Sequence, residues 1–123
     1  MVLVGLSFYI GETNMEIKQK IDILGTEYAV GIDDAACIAM NADGLCKYYD
    51  KEIILRKLEK LLDPDSSEES KLIRMKEVAR HEIIHAFFAE AGLFDYSDNE
   101  QLVNWIAIQF PKMLKVFHDA DCI

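Results

Sequence analysis

From Ser67 to Ala91 the residues Leu72, Met75, Val78, Ala79, Ile83, Phe87 and Ala91 recur at helical spacing, and Gly92 follows as a stop. Inside that run stands Arg80-His81-Glu82-Ile83-Ile84-His85-Ala86. An α-helix turns about 100° per residue, so the directions of His81 and His85 differ by only ~40° and both imidazoles can meet one ion. Glu82 lies close enough to the same face to reach a water held by that ion. In this H-E-x-x-H spacing two His bind zinc and the Glu serves as general base. Apolar residues continue around Ile84 and Phe88, which predicts a helix buried on more than one side. Two His and a Glu on such a helix are costly unless they have partners. The competing reading is a pair of surface histidines with an i,i+3 contact between Glu82 and His85.

A catalytic zinc site needs a third protein ligand and leaves a fourth position for water. Three downstream residues are candidates. His118 lies 33 residues beyond His85, near the C-terminus. Glu90 is on the same helix, five residues past His85, and cannot swing back to share the ion. Glu100 opens the next helix, eight residues after Gly92, and a helical hairpin would bring its turn beside the His pair. Glu100 is therefore the expected ligand. Against it, Ser97-Asp98-Asn99-Glu100 also reads as a capping box with Glu100 bonded to the Ser97 backbone. Asn104, one turn later, either hydrogen-bonds a ligand imidazole or is an ordinary surface Asn. Tyr96 and His118 are further candidates to stabilise an oxyanion, while Tyr48 and Tyr49 read as packing residues on a strand.

The chain before this helix has a different period. Ile17, Ile21, Ile23, Tyr28, Val30 and Ile32 alternate around Gly25-Thr26, which predicts a β-hairpin with one apolar face. Asp33 to Ala36 breaks the alternation, Cys37 to Met40 is ambiguous, and Asn41-Ala42-Asp43-Gly44 is a turn. Leu45–Tyr49 and Glu52–Leu55 read as two further strands joined around Asp50-Lys51. Arg56 to Leu62 has the spacing of a short helical turn, and Asp63 to Glu69 is an acidic loop in which Ser66 and Glu69 form a capping box. A second helix starts near Ser97 or Asp98, is interrupted or restarted at Pro111, and extends to about His118. The expected fold class is α+β: a small antiparallel sheet, then a long site-bearing helix, then a second C-terminal helix.

A length of 123 residues suits one domain with its own core. Met1 to Ile10 is apolar but too short to span a bilayer and lacks a basic leader, so neither a membrane span nor a signal peptide is expected. Residues 1–14 read as an N-terminal extension and 15–123 as the single domain, beginning near Met15. The net charge of −9 speaks against nucleic-acid backbones and anionic membranes as partners. Cys37, Cys46 and Cys122 are odd in number and form no CxxC pair, which points to free thiols in a reducing cytoplasm.

His81-Glu82-Ile83-Ile84-His85, followed by Asn99-Glu100 on the next helix, resembles the gluzincin class of zinc peptidases. In larger members an acid four residues after the ligand Glu supports a His; here that position is Asn104. The short chain and the phrase Asn99-Glu100-Gln101-Leu102-Val103-Asn104-Trp105-Ile106-Ala107 look more like the compact ImmA-like metallopeptidases of phages and integrative elements. The resemblance covers roughly residues 66–112 and implies a zincin-like fold, a Zn2+ cofactor and endopeptidase activity on a protein or peptide. It makes His81, His85 and Glu100 the metal ligands and Glu82 the catalytic base. The alternative is a zinc-binding interaction protein of a mobile element that no longer hydrolyses.

Overall fold

The computed structural model describes residues 15–61 and 65–123. The predicted extension at residues 1–14 and part of the acidic loop lie outside the described residues. Strands β1 (Glu16–Ile23) and β2 (Thr26–Ile32) form the expected hairpin. Its two-residue turn places Leu24 at φ 52° and Gly25 at φ 91°, the backbone that matches strand twist in tight hairpins. Asp22 Oδ1 accepts the Gly25 N–H at 2.8 Å. The ambiguous segment is a short helix, α1 (Asp34–Ala39), capped by Asp33. It leads to β3 (Gly44–Lys47) and β4 (Glu52–Leu55), so Tyr48 and Tyr49 belong to the connecting turn rather than to a strand.

The sheet order is β1-β2-β4-β3. The hairpin and the β3–β4 pair are antiparallel, but β2 and β4 run parallel, so the sheet is mixed rather than wholly antiparallel as expected. The connection supplies the reason: after β2 the chain runs through α1 and β3 before returning as β4 beside β2, a crossover rather than a hairpin. Glu52-Ile53-Ile54-Leu55 is apolar on both faces, as befits a central strand covered on both sides. Ile53 and Leu55 join Ile23, Tyr28, Val30, Val78 and Ala86 on the face covered by the long helix, whereas Ile54 meets Met15 and Cys37 on the other.

A 3-10 turn (Leu58–Lys60) precedes the long helix α2 (Glu68–Glu90). Its N-cap is Ser67, whose hydroxyl accepts from Ser70 N at 3.1 Å, one residue later than the predicted Ser66–Glu69 box. The C-terminal stop is as read. Gly92 takes φ 77°, Leu93 N bonds Phe88 O at 2.8 Å and Gly92 N bonds Ala89 O at 3.0 Å, a Schellman closure. Glu90 ties this end to the sheet, accepting from Tyr28 Oη and Lys51 Nζ, each at 2.6 Å.

The chain then turns through α3 (Phe94–Ser97) into α4 (Glu100–Asp119), which packs against α2. Pro111 neither ends nor restarts α4; the helix runs through it. The α+β order of sheet, long helix and C-terminal helix stands as predicted. No helix among the described residues is long and apolar enough to cross a membrane.

Candidate metal centre

The α2 stripe that faces the sheet also carries the site. Val78 and Ala86 are buried on β-sheet residues, and His81, Glu82 and His85 lie between them along the helix. The Gly92 closure reverses the chain, and α4 returns beside α2 with its first turn against the two imidazoles. His81 Nε2 lies 3.0 Å from Glu100 Oε1, and His85 Nε2 lies 2.8 Å from Glu100 Oε2. The two Nε2 atoms are 3.0 Å apart.

Ligands ~2.0–2.1 Å from a tetrahedral zinc stand ~3.3 Å from one another, so these separations are close to those of a chelating set. Proton placement favours a cation as well. Each imidazole has one Nε2, which cannot donate to its neighbouring ring and to the carboxylate at once. Protonating both rings would set two N–H groups against each other across 3.0 Å. Burial and the neighbouring His85 hold the His81 pKa below its ordinary value, with Glu100 and Asn104 pulling the other way. Two nitrogen donors and a carboxylate converging on one point are what a zinc ion takes.

Glu100 is the first residue of α4, and its cap is Asn99, whose Oδ1 accepts Leu102 N at 3.0 Å. The predicted capping box therefore does not compete for Glu100. Asn104 is exposed on α4, lines the same cleft and pulls the His81 pKa upward against the effect of burial. Ser97, read from sequence only as a cap, is 3% exposed and bonds His85 instead. No spacing rule points to it, because α3 exists only once the chain has turned back at Gly92.

Glu82 is buried, and desolvation, with a smaller push from the Glu100 charge, raises its carboxyl to about 7. A cleft of about 550 Å³ runs past it, lined by Gly44, Leu45 and Cys46 of β3, by Arg74, Glu77 and Val78 of α2, and by the site residues. Among the described residues β3 is an edge of the sheet. Arg56 N bonds Asp43 O at 3.1 Å, continuing the β3–β4 register. Antiparallel alternation then turns Leu45 and Lys47 toward β4, and the backbone N–H and C=O of Gly44 and Cys46 away from it.

The other candidates stand elsewhere. Glu90 is engaged with Tyr28 and Lys51, Tyr96 packs its ring 5.8 Å from Phe88, and His118 is exposed near the far end of α4. Tyr48 lines the cleft and packs on the core, as a packing residue should, but Tyr49 is 83% exposed. Comparisons with protein-family models, with curated proteins and with solved structures find no match.

Proposed function

We propose that this chain is a zinc-dependent endopeptidase of the gluzincin type, similar to the compact ImmA-like peptidases. The observation that carries the reading is the meeting of His81, His85 and Glu100 at one point of a cleft that also holds Glu82 and follows a sheet edge. Zinc bound by these residues would act as a Lewis acid on the scissile carbonyl and bring the pKa of a water toward ~7. Glu82 takes the proton of the attacking water and passes it to the leaving amine. Burial raises the Glu82 carboxyl to about 7 in the metal-free chain, and a bound Zn2+ would draw it back toward the carboxylate form that a base needs. An extended peptide laid along β3 would pair with the outward backbone groups of Gly44 and Cys46, which holds its carbonyl beside Glu82.

The substrate is accordingly a protein or peptide. The phage or mobile-element setting follows from the resemblance alone. Cys37, Cys46 and Cys122 as free thiols support a cytoplasmic location. The net charge of −9 supports a partner other than nucleic acid.

Zinc content and proteolysis of the purified chain test the reading together. Wild type is expected to hold zinc and cleave a peptide library, and Glu82→Gln to keep the zinc while losing about a hundredfold or more in rate. Zinc retained without any Glu82-dependent cleavage would instead favour the non-catalytic binding protein. A clearly substoichiometric zinc content refutes both.

A further inference from the structure

In an α-helix the carbonyl of residue 107 accepts the N–H of residue 111, and in α4 residue 111 is a proline, which has none. Ala107 is fully buried, so bulk water cannot replace the missing donor. Arg80 of α2 does so: its Nε donates to Ala107 O at 2.6 Å. The bond thus occupies an acceptor that only a proline at this place leaves open.

Arg80 directly precedes His81, and Ala107 shares a face of α4 with Glu100 and Asn104, spaced i, i+4, i+7. Along the helix pair, Glu100 meets His85 and His81, and Ala107 meets Arg80. Of these polar ties, the Arg80–Ala107 bond alone involves none of the three converging ligands. A slip of one residue along a helix is about 1.5 Å, several times the ~0.2 Å tolerance of a metal–ligand distance.

We infer that Arg80 is a positioning residue for the metal centre. By filling the carbonyl that Pro111 leaves open, it fixes the axial register of α4 on α2 and hence the reach of Glu100 to His81 and His85. The inference rests on reading those three residues as zinc ligands.

The test compares zinc affinity, from competition with a chelator, and denaturant stability of the metal-free chain. It uses wild type, Arg80→Ala, Arg80→Lys and Arg80→Ala combined with Pro111→Ala. Arg80→Ala is expected to weaken zinc binding about tenfold or more, as loss of a ligand-orienting group does, and to lower stability. Adding Pro111→Ala gives Ala107 O a donor within its own helix. Stability should recover, while zinc affinity stays low because the cross-helix bond from residue 80 is still missing. Arg80→Lys keeps a donor and should regain part of the affinity. Affinity that is unchanged in Arg80→Ala, or that recovers together with stability in the double variant, overturns the positioning role and leaves the metal reading intact. A wild-type chain that binds no zinc overturns both.

Discussion

Ser97 uses its one hydroxyl proton on the carbonyl of His85, at 3.0 Å, so its Oγ, 3.4 Å from His85 Nδ1, can meet that ring only as an acceptor. The proton of the neutral imidazole is thereby held on Nδ1, and the lone pair is left on Nε2, the atom that faces Glu100. Replacing Ser97 with Ala removes this orientation. Zinc affinity is expected to fall about 10–100-fold, and the metal-free chain to lose about 1 kcal/mol of stability. Chelator competition and urea unfolding separate the two effects, and an unaltered zinc affinity would mean that Ser97 only ties α3 to α2.

Glu100 and Asn99 should have opposite phenotypes. The cap of α4 is Asn99, and the Glu100 side chain is 65% exposed, bonded only toward the imidazoles among the described residues. Glu100→Ala should therefore change metal-free stability by no more than about 0.5 kcal/mol while abolishing tight zinc binding. Asn99→Ala should cost about 1 kcal/mol and leave zinc affinity nearly unchanged. Intact zinc binding in Glu100→Ala would place the third ligand elsewhere.

The two helices differ in how much of them could be read in advance. The α2 stripe, its Gly92 stop and the His81–Glu82–His85 spacing are local, fixed by helical periodicity, and are legible in the sequence. The hairpin is local as well. The parallel pairing of β2 with β4 is not, because a strand's own residues report which faces are covered but not which neighbour covers its edge. Pro111 reads as a break for a related reason. Its compensation comes from Arg80, 31 residues earlier, and exists only after α4 has packed. Ser97 reads as part of the nearest helix start, since short-range capping is visible in a sequence and a bond to the preceding helix is not.

Acid sensitivity should trace to Glu90. Lys51 above all, with Tyr28 and Thr26, holds its carboxyl down at about 2. A carboxyl depressed on folding contributes stability that is fully present above its unfolded pKa of ~4.3 and is lost as pH falls through the folded value. Stability of wild type should therefore decline from about pH 5 toward pH 2, in part through this group. Glu90→Gln should be less stable at pH 7 yet show a shallower decline across that window. Equal slopes for the two chains in pH-dependent urea unfolding would remove Glu90 from the account.

The approach of β3 to α2 depends on the absence of a side chain at Gly44. A Cβ there would stand 2.6 Å from Val78 Cγ1, 3.1 Å from Glu82 Cγ and 3.2 Å from Leu55 Cδ2, so Gly44→Ala must push the edge strand away from the helix. Overpacking of this kind costs about 1–3 kcal/mol. It also displaces the strand proposed to hold the peptide and disturbs the methylene next to the proposed base. No zinc ligand comes from β3, so zinc content should be unchanged while kcat/KM for peptide cleavage falls. Zinc measured on the same preparation as the kinetics distinguishes a displaced strand from a lost metal. Full activity in a folded Gly44→Ala chain would argue that the substrate does not lie along β3.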